Sequence, residues 1–106
     1  MNIQKLMKEA QKAQQKMQEA QERLASMHVE GSAGGGMVTA TANGEGTITG
    51  VKIDPGVVDP ADVDMLEDLV SAAVGDAQRK AKELQESEMG EAMGGMGGMG
   101  GLGGMF

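Results

Sequence analysis

Four lysines, Lys5, Lys8, Lys12 and Lys16, recur at steps of three and four residues near the start of the chain. On a helix turning 100° per residue they fall within roughly 80° of one another. Such a row of ammonium groups has one evident chemistry, the attraction of polyanions such as phosphates. It is placed at some cost. Lys8–Lys12 and Lys12–Lys16 are like-charged i,i+4 pairs, each unfavourable by roughly a few tenths of a kcal/mol. All four also crowd the end of a helix that disfavours cations. A merely solvated face accounts for them as well, since Lys5–Glu9 and Glu19–Arg23 are ordinary i,i+4 pairs of opposite charge.

The remaining reactive residues point away from catalysis. His28 is the one histidine, and with no cysteine in the chain a nucleophile would have to be a serine. Ser26 and Ser32 lie in no recognisable nucleophile motif. The acids Asp59, Asp62, Asp64, Glu67 and Asp68 cluster without EF-hand spacing, and compensation of a positive helix end explains them. Gly44 and Gly46 open no helix and no Walker lysine follows a glycine run, which excludes the nucleotide fingerprints. Met93, Met96 and Met99 are spaced as soft thioether ligands, but no Cys or His accompanies them. Neither an enzyme nor a cofactor, metal or small-molecule substrate is expected.

The chain has 106 residues, of which 18 are Gly and one is aromatic. A core of Ala, Val, Leu, Ile and Met in so small a domain is thin, and a second copy is the expected remedy. The start, MNIQKLMKEAQK, has no signal-like apolar run, and no stretch has the length of a membrane span. A cytoplasmic location away from membranes is therefore expected. The formal net charge of −7 is unevenly spread. Residues 1–18 carry a balance of +3, whereas residues 59–88 carry −6. Local sign governs what a patch attracts within a Debye length of ~10 Å.

The lysines need a rigid support, and the sequence supplies it. Ile3, Leu6, Ala10, Ala13, Met17, Ala20, Leu24 and Met27 form a heptad seam, opposite the lysines, on a helix expected over residues 2–27. Part of that seam must face another helix, from this chain or a second copy. Three strands are expected to follow, at His28–Ala33, Met37–Ala42 and Thr47–Ile53. Glycines 34–36 and the Asn43-Gly44-Glu45-Gly46 hairpin separate them. Val38, Ala40 and Ala42 are expected to share the core face with Thr49, Val51 and Ile53. Asp59 is placed to cap a second long helix, with Pro60 at its first position. Val63, Leu66, Val70, Ala73, Ala77 and Leu84 form its stripe, widened by Leu69 and Val74, and it is expected to fray near Glu88. The domain is expected over residues 1–88, and the Gly/Met-rich tail, 89–106, is expected to be disordered.

Three stretches carry a resemblance. They are the Gln/Lys-rich first helix, the segment Val29-Glu30-Gly31-Ser32-Ala33-Gly34-Gly35-Gly36-Met37-Val38, and Val51-Lys52-Ile53-Asp54-Pro55 with Met65-Leu66-Glu67-Asp68-Leu69-Val70-Ser71-Ala72-Ala73. Over essentially its whole length the chain resembles the YbaB/EbfC family of nucleoid-associated proteins. That resemblance implies an α+β subunit of order α-β-β-β-α, with a three-stranded antiparallel sheet and two long helices, in a tweezer-like homodimer. It implies double-stranded DNA as partner, and a role in nucleoid organisation and gene expression. It places DNA contact on the projecting helices, at Lys5, Lys8, Lys12, Lys16 and Arg23 of the first and Arg79, Lys80 and Lys82 of the last. No Arg- or Asn-rich recognition helix is visible to read bases, so phosphate contact should dominate. The acidic last helix favours the competing reading, a dimeric protein-interaction module whose DNA contact is incidental.

Overall fold

The structure, a computed structural model, describes residues 2–94. Its elements are helix α1 (Ile3–Ser26), strands β1 (His28–Ala33), β2 (Val38–Asn43) and β3 (Ile48–Ile53), a 3-10 turn at Pro55–Val57, and helix α2 (Val63–Gly94). The strands form one antiparallel sheet in the order β1-β2-β3. The order and type of every element match the α-β-β-β-α reading.

The core is small because α2 lies very close to the sheet. Ala73, Ala77 and Ala81 are buried against Val38, Ala40 and Ala42 of β2. Leu66, Leu69, Val70 and Val74 close around them, half buried. Methyl-sized side chains on both surfaces let the backbones approach. The closest approach is at Gly31 of β1, where a Cβ would overlap the backbone of Ala73 and Ala77. α2 crosses β1 and β2 and reaches β3 only at its margin.

Two turns set the sheet. Gly34, Gly35 and Gly36 take φ of 64°, 67° and 94°, a run of left-handed backbone that only glycine holds without strain. At the hairpin, Asn43 Oδ1 accepts from the N–H groups of Glu45 at 3.0 Å and Thr47 at 3.1 Å. A bulge between Thr41 and Ala42 then corrects one expectation. It places Ile48, not Thr49, opposite Ala42. Thr49 instead donates its hydroxyl to the Thr41 carbonyl at 3.3 Å. An extra residue in one strand flips the side-chain alternation beyond it, so Thr49 leaves the core face while Val51 and Ile53 stay on it.

The second helix begins later and ends later than expected. Asp59 caps a local turn, accepting from Ala61 N–H at 2.9 Å, while its carbonyl accepts from Asp62 N–H at 2.9 Å. Asp62 is then the capping acid, accepting from Met65 N–H at 3.2 Å, and the helix opens at Val63. With two capping acids three residues apart, Asp59's oxygens are already engaged and the second takes the helix. At the other end α2 continues through Met89 to Gly94 because Ala92 is buried. The helix thus runs six residues past Glu88, where it was expected to fray. Of the tail expected to be disordered, residues 95–106 lie outside the described residues.

Candidate nucleic-acid interface

α1 is a 24-residue helix, about 36 Å long at 1.5 Å per residue. Asn2 caps it, its Oδ1 accepting from Lys5 N–H at 3.2 Å. Only the C-terminal part of its seam is covered. Ala20 and Leu24 are buried, Ala13 and Met27 are half buried, and Ile3, Leu6, Ala10 and Met17 are exposed. The last turn is fixed to the sheet through Gly44, whose N–H donates to the carbonyls of Leu24 at 2.8 Å and Met27 at 2.9 Å. A Cβ on Gly44 would overlap the Leu24 carbonyl, so this docking needs glycine. α2 returns antiparallel beside α1. Arg23 of α1 meets Glu88 of α2 at 3.2 Å, and Lys16 and Glu19 flank a cleft shared with Glu91 and Ala92. The N-terminal half of α1 projects beyond this contact.

Lys5, Lys8, Lys12 and Lys16 all lie on α1 and are exposed. Among the described residues none of the four makes an ion pair. Lys82 is likewise exposed and without an ion pair among the described residues. The other three candidate cations, Arg23, Arg79 and Lys80, are engaged. Arg23 bonds Glu88 through both Nε and Nη2 at 3.2 Å. Arg79 bonds Asp76 and Glu83, each at 2.8 Å. Lys80 donates to the Glu30 carbonyl at 3.0 Å and lies 3.3 Å from Asp76. The structure thus gathers four free charges on one arm. It separates them from a second cluster, on the middle of α2, that is tied to the sheet.

That second cluster has a structural task. Asp76 Oδ2 accepts from Ser32 N–H at 3.2 Å, while Lys80 takes the Glu30 carbonyl. β1 has β2 on one side only, so these two side chains cap backbone groups of an edge strand and blunt it against further pairing. The Arg79 hydrogen bond, then the Ser32 N–H, then Lys80 hold the Asp76 carboxyl down to about 2, from an ordinary 3.8. In return the Asp76 hydrogen bond and the Glu83 charge raise Arg79. The sequence reading gave Asp76 no role. Its i,i+4 spacing to Lys80 was the available signal, but the backbone partners on β1 are 44 and 50 residues away.

β3, the other edge, has no such caps among the described residues. Its core-side residues Val51 and Ile53 stand opposite Ala40 and Val38, yet they are 42% and 36% exposed because α2 does not reach them. Val58, Val63 and Met65 are further exposed apolar side chains in the segment that leads from β3 into α2. His28 is exposed at the start of β1. No group of His, Cys, Asp or Glu among the described residues could hold a metal ion. Among them, no helix is long and apolar enough to cross a membrane.

The chain has counterparts among known proteins. The model of the YbaB/EbfC DNA-binding family matches residues 1–96. The chain belongs to that family. Relatives named nucleoid-associated protein support the assignment. One from Saccharopolyspora erythraea is 54% identical over 93 residues, spanning 88% of this chain and 80% of the relative. Another, from Legionella pneumophila, is 50% identical over 90 residues, spanning 85% and 80%. A third, from Chloroflexus aurantiacus, is 49% identical over 89 residues, spanning 84% and 89%. Among solved structures, an uncharacterized protein from Helicobacter pylori superposes with a TM-score of 0.72 at 20% identity, over 82% of this chain and 91% of that one. That likeness concerns the fold alone. YbaB/EbfC membership accounts for the fold and for a DNA-binding role at the level of the family.

Proposed function

We propose that this YbaB/EbfC protein is a non-enzymatic homodimer that binds double-stranded DNA through phosphate contacts from its α1 arms. The observation carrying this reading is the contrast between cations. Lys5, Lys8, Lys12 and Lys16 stand exposed on a projecting helix without ion pairs among the described residues, whereas Arg23, Arg79 and Lys80 are satisfied within the subunit. The four ammonium groups span about 16 Å of helix axis and repel one another. Phosphates relieve that repulsion and release counterions, which makes binding salt-sensitive and largely indifferent to sequence. Lys82 is free to add a contact. Arg23, Arg79 and Lys80 contribute only if their internal pairs open, so they rank below the stripe.

Dimerisation is supported by the uncovered core side of β3. Val51 and Ile53 lie on the same face as Val38, Ala40 and Ala42, which are fully buried on the neighbouring strand, and β3 is the edge left uncapped. A second copy placed there buries both and sets two lysine arms around one duplex. Such an assembly, in the nucleoid-associated manner of the relatives, would influence nucleoid organisation and gene expression from the cytoplasm. The test is a gel-shift assay on the Lys8→Glu/Lys12→Glu/Lys16→Glu protein, with its mass in solution measured alongside. Loss of DNA retention with an unchanged dimer is expected. Retention equal to the native protein's removes the stripe as the site.

A further inference from the structure

The N-terminal half of α1 carries an apolar patch that α2 leaves open. α2 packs where Ala20 and Leu24 are buried, comes near Lys16 and Glu19 with Ala92, and ends at Gly94. Toward the start of α1, Met17 and Leu6 are 38% and 50% exposed, Ala10 is exposed and Ala13 is half buried. These four side chains fall within about 60° of one another on the helix. Glu9 and Lys16 border the patch along one edge, and among the described residues neither makes an ion pair. Seven residues apart, they stand about 10 Å from each other along the axis, too far to pair within one helix.

The patch is its own complement. A second α1, reversed about the midpoint between Gln11 and Lys12, sets Leu6 against Met17 and Ala10 against Ala13, each pair occurring twice. It also brings Glu9 of one helix alongside Lys16 of the other, at the flanking positions that face each other across an antiparallel pair. Alanines then meet at the centre, where they let the axes approach, and the larger side chains close both ends. A parallel pair stacks Leu6 on Leu6, leaves both charges without partners, and drives two folded bodies together at the same end of the arms. The antiparallel pair places those bodies at opposite ends.

We propose that the α1 arms of two copies pair antiparallel through Leu6, Ala10, Ala13 and Met17, with Glu9 of each on the partner's Lys16. The contact is isologous, the same patch on both copies. It joins arms of different dimers, and in that respect rests on the homodimer proposed above. The matched stretch stops at Met17, where α2 takes over the seam, and the partner's first turn passes beside the end of α2. So short a contact is weak alone and gains strength when the arms are already held on one DNA molecule. Lys5, Lys8 and Lys12 point roughly 135° away from the patch and stay open to phosphates. Each dimer carries two arms, so the pairing repeats from dimer to dimer and links neighbours along or between duplexes.

The full chain has no cysteine, so disulfide formation between single variants reports the pairing. Tagged Ala10→Cys chains mixed with untagged Ala13→Cys chains should form mixed covalent pairs in oxidant, and either variant alone should form several-fold fewer. Adding Glu9→Lys or Lys16→Glu to both chains should lower the yield several-fold by setting like charges together. Adding both exchanges should restore it. Cross-linking should at least double the sedimentation mass over the same mixture kept reduced. A reduced mixture that sediments as monomers and doubles on oxidation would remove the β3 dimer and keep the arm pairing. Three results overturn the proposal: equal cross-linking of each variant alone, which is the parallel arrangement, a yield indifferent to the charge exchanges, or a mass that oxidation leaves unchanged.

Discussion

Gly31 on β1 and Ala77 on α2 meet backbone to backbone. A Cβ on Gly31 would overlap the amide nitrogen of Ala77, and the neighbouring Ala73 carbonyl blocks any sideways escape. This contact sets the helix-to-sheet separation for the whole subunit. It is why the core is built from Ala73, Ala77 and Ala81 rather than from leucines. Gly31→Ala should therefore force α2 off the sheet and destabilise the fold by about 2 kcal/mol or more, in the range of overpacked cores. Gly50→Ala is the matched control, since nothing lies within 4 Å of a Cβ there and its φ is not positive. Urea unfolding of the two variants should show a large loss for the first and little change for the second.

Asp76 links α2 to the edge of β1, and its lowered carboxyl gives that link a pH signature. Its folded value is about 2 against an ordinary 3.8, so the unfolded chain binds the proton first. The stability that ionised Asp76 contributes is fully present above about pH 4 and is lost as pH falls toward 2. The gap in urea midpoint between the native protein and Asp76→Asn should accordingly be constant at neutral pH and shrink below pH 4. A gap unchanged down to pH 2 would show that the link depends on shape rather than charge.

Val51 lies on the half of the sheet that α2 leaves open. If a second copy covers it, Val51→Glu puts a charge into that contact with no partner to receive it. Burying an unpaired carboxylate is costly enough that dissociation is favoured over the dimer. Sedimentation should show monomers for Val51→Glu and dimers for the native protein. A stable Val51→Glu dimer would place the interface elsewhere.

The cations should rank by their freedom. Lys12→Ala should weaken DNA binding more than Arg79→Ala, because Arg79 is spent on Asp76 and Glu83. Conversely, Arg79→Ala should lower stability and Lys12→Ala should not, since Lys12 makes no ion pair among the described residues. Paired fluorescence-anisotropy and unfolding measurements on both variants check this crossing pattern.

Much of the fold was legible because local signals agreed with one another. The uninterrupted Gln, Lys, Glu and Ala run set α1, the glycine triplet and Asn43-Gly44 marked the turns, and β-branched residues marked β2. What escaped the sequence depended on distant partners. The bulge that removes Thr49 from the core face is a matter of pairing register, which residue types alone do not fix. Asp59 and Asp62 are both good caps, and only the turn closed between them decides which opens α2. The persistence of α2 through Met89 and Gly90 comes from Ala92 packing beside α1, against the local preference of glycine. The lysine stripe was visible from spacing. Its contrast with Arg79 and Lys80 was not, because Lys80 spends its charge on a carbonyl 50 residues away.

The central claim, that free ammonium groups on α1 hold DNA by its phosphates, is tested most directly by the salt dependence of a binding isotherm. Each phosphate neutralised contributes about −0.9 to the slope of log K against log salt, so four to eight lysine contacts per dimer give a slope of about −4 to −7. The Lys8→Glu/Lys12→Glu/Lys16→Glu protein should lose most of that slope together with its affinity. A native slope near zero, or a triple variant with the native slope, would contradict the account.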